Sequence, residues 1–510
     1  METIKSIFRS TRYPLAMSAC GAGFLFLLLF LSRDRASNFS YSNEYSSADD
    51  PSRNNREEIL LGGLLSSEFD TNSCLGRYQS VLYRKKSHHI PSLALISRLR
   101  EYELLHRRCK PFFKSFNHTS HHLRHHENDC KYVVWTALSG MGNNLLTMAS
   151  AFLYALLTNR TLLIQQEDEL ADLFCEPFPN SSWLLPAGFP VDLAALNQSH
   201  PLCFGNMLQR SKDAISSDDF QYVHLLHDYN DHDKLFFCEE HQSRLQDVPW
   251  LIIKSDNYFI PSLFSIPLFQ EELSMLFPDK EAVFHHLGRY LFHPTNQVWG
   301  MITRFFAAYM TKADKLLGIQ IRVLEEGAHP LPYVIKQILS CLETNHLLPS
   351  VSNGKSIASR KFSISVVVTS LYPQYYEKMK EMYWMNPTAT GEVVRFQQPT
   401  TEEEQKFGDR KHNMKAWSEI YMLSMCDAIV TSAWSTFGYA AQGLGGVRPW
   451  ILPKPVNGSV PEPSCIRGIS MEPCFHAPPN VRCNGDVEDD FLVRCEDRPW
   501  GIKLLNNFTA

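Results

Sequence analysis

The sequence has no P-loop, no GxSxG and no HExxH, so nucleoside-triphosphate hydrolysis, serine hydrolysis and zinc proteolysis have no anchor in it. It has no long basic block: 49 lysines and arginines stand against 54 aspartates and glutamates, a formal net charge of -5. Nothing in that balance calls for a phosphate backbone, which excludes nucleic acid as a partner. The glycine-rich turn SGMGNN (139–144) is followed by Leu145 where a dinucleotide fingerprint needs a third glycine, which sets nicotinamide and flavin aside. Cysteine is sparse, 13 in 510 residues, and the four that crowd the C-terminus, Cys465, Cys474, Cys483 and Cys495, make no CxxC pair for zinc. The histidines between 118 and 126 sit in a polar stretch without the glutamate of a metalloprotease helix.

What is present begins with an uncharged apolar run. Residues 14–31 include GFLFLLLFL, preceded by Lys5, Arg9 and Arg12, and match the ~20 residues that cross a bilayer. The run exceeds a signal-peptide core and lacks a small-residue cleavage site, so a retained anchor is expected, with the bulk of the chain lumenal. Seven sequons, at Asn38, Asn117, Asn159, Asn180, Asn197, Asn457 and Asn507, all follow it. Twelve cysteines also follow it and would pair as disulfides in an oxidising lumen, with Cys426 in an apolar strand left as a buried thiol. The polar, aperiodic stretch 33–59 is a stem.

From residue 60 onward strands alternate with helical periods, an α/β pattern long enough for two lobes. Apolar runs predict strands at 131–138, 161–166, 250–254, 316–321, 363–368, 393–396, 426–431 and 449–452, and helices over IPSLALISRLREYELLHRRC and 297–315. In open parallel sheets ligands bind beyond the carboxyl ends of strands, so the residues there are the candidates. Gly140 and Gly142 open a helix, where they either admit an anion or let helix pack on strand. Arg322 follows LLGIQI, its planar fork suited to a diphosphate or to a salt bridge with Glu325 or Glu326. Ser432, Ser435 and Thr436 lie between a strand and FGYAAQG, as a phosphate site or as plain helix capping. Trp434 and Phe437 beside them stack on a base or fill the core. Asp256 after WLIIKS is a general base or a turn former. Asp231 and Asp233 have the spacing of a metal–diphosphate pair.

SGMGNN, LFCEPFP with SSWLLP, SDNYF, VFHHLGRYLFHPTNQVWG, GIQIR, HNMKAWSEIY, TSAWSTFGYAAQGLGG and MEPCFHAPP occur in that order over about residues 60–485. Together they resemble the plant fucosyltransferase family that includes the xyloglucan α-1,2-fucosyltransferases. The resemblance implies two Rossmann-like lobes, a GT-B-type variant, after an N-terminal transmembrane helix. The organisation it implies is a cytoplasmic tail (1–13), anchor (14–32), stem (33–59), acceptor-side lobe (60–305), donor-binding lobe (306–460) and Cys-rich segment (461–510). GDP-fucose is the implied donor, with no cofactor and no metal. Expected partners are that donor, an oligo- or polysaccharide of the cell wall, the Golgi membrane and a second copy of the chain. Inverting transfer to xyloglucan galactose or arabinogalactan-protein arabinose is the implied reaction, and a membrane-anchored glycan-binding protein without turnover is the alternative.

Carried onto this chain, Arg322 binds the diphosphate and acts in catalysis, Ser435 and Thr436 hold the donor, and Asp256 is an acceptor-side catalytic carboxylate. Gly140, Gly142, Asn143, Ser432, Trp434 and Phe437 complete the expected donor site. Asp231 and Asp233 are set aside as surface or structural carboxylates. The family's GxGNR turn has arginine where this chain has Asn144, and a neutral amide does not replace a guanidinium against phosphate.

Overall fold

The computed structural model describes residues 60–110, 130–165, 172–210, 220–323, 331–352, 362–455, 459–480, 483 and 490–506. The expected anchor, the stem, the histidine cluster and Glu325 and Glu326 lie outside these residues; among the described ones no helix is long and apolar enough to cross a membrane.

The fold is mixed α/β, built on parallel sheets. β1 (Tyr132–Thr136), β2 (Thr161–Ile164), β3 (Phe220–Leu225) and β4 (Trp250–Ser255) form a parallel sheet in the order β2-β1-β4-β3. β5 (Lys315–Gln320), β6 (Ser363–Thr369), β7 (Val393–Gln397), β8 (Ala428–Ser432), β9 (Trp450–Leu452) and β10 (Ile466–Arg467) form a second, in the order β10-β9-β8-β5-β6-β7. Only β10 runs antiparallel to its neighbour in that sheet. A hairpin of β11 (Leu492–Arg494) and β12 (Ile502–Leu504) stands apart. All five residues of β1 are buried, as expected of a strand covered on both faces.

The helices are α1 (Leu93–Arg108), α2 (Met141–Leu157), α3 (Val283–Leu291), α4 (Asn296–Phe305), α5 (Leu331–Thr344), α6 (Gln374–Met385), α7 (Arg410–Leu423) and α8 (Thr436–Gly445), with several shorter ones between them. Ser92 caps α1, accepting the Leu95 N–H at 3.0 Å. α2 buries sixteen of its seventeen residues, which its all-round apolar sequence permits. It packs against α8 and α3, so one core runs from Leu99 and Phe152 through Trp417 to Leu444. Full burial of an aromatic such as Phe152 contributes about 2–3 kcal/mol. α8 stops at Gly446, whose φ of 68° is the left-handed cap that glycine adopts without strain.

The helix over 297–315 and the strands β3, β10, β11 and β12 differ from the sequence reading. The helix expected over 297–315 ends in a π-helical turn, Phe306–Met310, because Asp314 already belongs to the next sheet: its carboxylate accepts the Ser363 N–H at 2.6 Å. β3 is absent from the expected strands because Gln221 and His224 interrupt its apolar pattern. Both are buried, and both are satisfied locally, Gln221 by the Leu202 carbonyl at 2.8 Å and His224 by the Tyr222 hydroxyl at 2.8 Å.

Ten of the twelve later cysteines pair, as Cys74–Cys175, Cys109–Cys130, Cys238–Cys483, Cys341–Cys465 and Cys474–Cys495. Cys426 is the buried free thiol expected, and Cys203 is a second. The three sequon asparagines within the described residues, Asn159, Asn180 and Asn197, are all exposed.

Candidate active site

In the second sheet the chain reverses its direction of travel at one place. It leaves β5 toward β6 and β7 and returns to β8 on the other side; in the first sheet β1 lies between β2 and β4. The crevices beyond such switch points are where ligands settle. A cavity of about 590 Å³ is lined by residues beyond β1, beyond β5 and at the start of α8. Of the residues expected from sequence, Gly140, Gly142, Asn143, Arg322, Trp434, Ser435, Thr436 and Phe437 all line it. The structure thus gathers eight positions spread over three hundred residues into one wall.

Arg322 is held by its backbone, whose N–H donates to Ser432 Oγ at 2.9 Å across the β5–β8 crevice. Its guanidinium donates to Gln405 Oε1 at 2.8 Å, a neutral partner from the loop after β7. Burial lowers its pKa, with Tyr372 opposing, yet an arginine starts so far above neutrality that it stays charged. Ser432 does not line the main cavity; its hydroxyl is spent on the β5 backbone and opens onto a smaller pocket behind Arg322.

Ser435 caps α8, accepting the Gly438 N–H at 3.4 Å. Thr436 Oγ1 donates to Asn143 Oδ1 at 2.6 Å, and Asn143 Nδ2 donates to the Asp256 carbonyl at 2.9 Å, so the starts of α2 and α8 are tied together and to β4. Gly142 serves this closeness. A Cβ there would lie 2.5 Å from Phe437 N and 2.6 Å from Thr436 C, so packing between helix starts, one of the two readings of the turn, explains this glycine. At Gly140 a Cβ would meet only the end of the Gln405 side chain.

Trp434 has φ +63°, uncommon for a large side chain and typical of strain kept at functional sites. Asp497 holds it, accepting the Trp434 N–H at 2.9 Å and, through its carbonyl, the indole N–H. Its ring already carries Lys454 Nζ at 3.4 Å and Arg498 Cζ at 4.1 Å from the centroid. Asn144, in place of the family arginine, is buried at the cavity wall.

Asp256 is placed elsewhere. It does not line the cavity, and its carboxylate accepts the His227 N–H at 3.0 Å and faces His227 Nδ1 at 2.6 Å, which raises the pKa of that exposed imidazole. Asp231 is a surface carboxylate paired with Lys234 at 2.8 Å, while buried Asp233 is structural and completes a capping box with Asn230. Among the described residues no group of three or more His, Cys, Asp or Glu is arranged to hold a metal ion.

The sequence reading missed Gln405, Glu419 and His476, which also line the cavity. Burial pushes the Glu419 carboxyl up to about 8, although Thr400 Oγ1 donates to it at 2.6 Å. Nearby Glu402 is paired with Lys415, which lowers its pKa. HNMKAWSEIY and MEPCFHAPP, the blocks containing Glu419 and His476, were the only signal.

The sequence profile of the family described as xyloglucan fucosyltransferase matches residues 34–484, which include the whole cavity wall. The chain belongs to the xyloglucan fucosyltransferase family. Among its relatives, the galactoside 2-alpha-L-fucosyltransferase of Pisum sativum is 51% identical over 464 residues, 88% of this chain and 82% of that protein. Fucosyltransferase 2 of Arabidopsis thaliana is 48% identical over 496 residues, 91% of this chain and 92% of that one. An Arabidopsis thaliana FUT1 mutant solved in complex with GDP is 50% identical, with a TM-score of 0.81 covering 88% of this chain and 100% of that one. This family member therefore shares its fold with a protein whose structure holds a nucleoside diphosphate.

Proposed function

We propose that the chain is an inverting fucosyltransferase that moves L-fucose from GDP-fucose to a hydroxyl of a plant cell-wall glycan, xyloglucan galactose or arabinogalactan-protein arabinose. The observation that supports it most is the placing of Arg322 and the α8 start on one cavity wall, in a chain half identical to a protein solved with GDP. The two sheets are taken as two Rossmann-like lobes of GT-B type, the first on the acceptor side and the second on the donor side. The protein is taken as a single-pass type II protein of the Golgi membrane.

The chemistry follows from where charge develops. As the bond from fucose C1 to the β-phosphate oxygen breaks, negative charge grows on GDP. A guanidinium and helix N–H groups already aimed there stabilise the transition state more than the ground state. Attack by a sugar hydroxyl from the opposite face inverts C1. Asp256, engaged by exposed His227, is better suited to an acceptor-side carboxylate than to a base inside the cavity.

The full-length chain incubated with GDP-fucose and a panel of plant glycans should release GDP in step with glycan fucosylation. Glycan binding without GDP release would instead fit the glycan-binding alternative. Turnover should persist in EDTA, because Arg322 and the α8 start supply positive charge at the leaving group. Loss of activity in chelator, restored by manganese, would contradict this. The lumenal topology rests on the apolar run at 14–31 and on sequons that all follow it; protease added to sealed vesicles should leave residues 60–510 intact, and their digestion would reverse the topology.

A further inference from the structure

Three residues not expected from the sequence form a hydrogen-bonded chain that ends at the cavity. Tyr439 on α8 donates its hydroxyl proton to Asp497 Oδ2 at 2.6 Å. The same oxygen accepts the Trp434 N–H at 2.9 Å, so it is an acceptor on both sides. A phenol has one proton, and Tyr439 has committed it. Toward His476 Nε2, 3.1 Å away, the hydroxyl can only accept, so Nε2 carries a proton. Burial lowers the imidazole pKa to about 4, helped by Arg498 and Lys454 against the pull of Asp497, so the ring is neutral. A neutral ring protonated at Nε2 has its lone pair on Nδ1, and His476 is one of the residues that line the cavity.

The seat of this ring is built rather than incidental. His476 follows Cys474 by two residues and Asp497 follows Cys495 by two, and Cys474 and Cys495 are joined. Phe475 exchanges backbone bonds with Ile502, at 2.8 and 3.1 Å, which ties the histidine to the hairpin as well. A base whose second nitrogen is fixed by a hydroxyl and then a carboxylate follows the general logic of an oriented imidazole.

We propose that His476 accepts the proton of the attacking sugar hydroxyl at Nδ1, with Tyr439 and Asp497 as positioning residues that fix its tautomer. This rests on the fucosyl-transfer reading above. The acceptor oxygen forms its bond to fucose C1 as its O–H bond breaks and the proton passes to Nδ1. The bond from C1 to the β-phosphate oxygen breaks with its electron pair, which leaves on GDP. The imidazolium so formed points its Nε2–H toward Tyr439 and the Asp497 carboxylate.

Azide is the discriminating probe, since it attacks C1 without a proton to lose. Full-length wild type, His476→Ala, His476→Gln and Tyr439→Phe would be compared for GDP release with glycan, GDP release with azide, and GDP binding by calorimetry. Both His476 variants should lose about 100-fold or more of glycan-dependent turnover, keep GDP affinity, and match wild type with azide within a few fold. His476→Gln keeps a polar side chain of similar size that is not a base, so its loss separates proton transfer from packing. Tyr439→Phe should lower kcat about tenfold with little change in KM. Full glycan turnover in the His476 variants, or azide turnover lost together with glycan turnover while GDP still binds, would overturn the assignment. A wild type that releases no GDP with either nucleophile would instead remove the fucosyl-transfer reading itself.

Discussion

Arg322→Lys is expected to lower turnover a hundredfold or more while leaving thermal unfolding unchanged. The substitution keeps one positive charge and exchanges a planar fork for a point charge on a flexible stem. The position is set by the backbone bond to Ser432, which a lysine retains, and the side chain lies at the cavity wall. Its side-chain partner, Gln405, is neutral, so no buried carboxylate is left alone when the guanidinium goes. Folding therefore has little to lose. The transition state has more: one charge-assisted contact aimed at a leaving phosphate is worth about 3 kcal/mol, roughly a hundredfold in rate. The measurement pairs GDP release from GDP-fucose and acceptor with thermal unfolding, for wild type and variant. Equal stability with most of the turnover retained would remove Arg322 from the reaction. Loss of the fold would make it a structural residue after all.

The reading of strands from sequence succeeded where burial on both faces leaves unbroken apolar runs, as in KYVVWTAL and SISVVV, and failed at β3, whose Gln221 and His224 satisfy themselves within the fold. The cavity wall was accessible for a related reason. Strand ends and helix starts carry recognisable residues, and Arg322, Ser435 and Thr436 stand at such ends. Gln405, Glu419 and His476 do not. Gln405 comes from a loop without periodicity, Glu419 is a buried acid on a helix with polar neighbours, and His476 owes its place to a disulfide. The pairing itself could not be read. Of the four clustered cysteines only Cys474 and Cys495 join each other, while Cys465 and Cys483 reach back to Cys341 and Cys238. Those partners are neighbours in space alone.

The second large effect is expected from a single methyl group. Gly142→Ala places a carbon 2.5 Å from Phe437 N, 2.6 Å from Thr436 C and 2.9 Å from Phe437 Cα, all backbone atoms of the first turn of α8. Backbone in a helix cannot swing aside, so the starts of α2 and α8 must separate, and the 2.6 Å bond from Thr436 to Asn143 is lost with them. By helix propensity alone, alanine would stabilise α2 by about 1 kcal/mol. The clash should reverse that sign, with overpacking of this kind costing about 1–3 kcal/mol, and should move the α8 start at the cavity wall. Turnover should fall at least tenfold. Gly140→Ala, two residues earlier, is the control, because its new methyl meets only the terminal amide of Gln405, which can rotate away. That variant should unfold as wild type does, and any fall in turnover should come only through the Gln405 contact to Arg322. Paired unfolding and GDP-release measurements on the two variants decide the point: if Gly142→Ala proves as stable and as active as Gly140→Ala, the helix starts do not meet in the working enzyme, and the wall they form would have to be abandoned as the donor site.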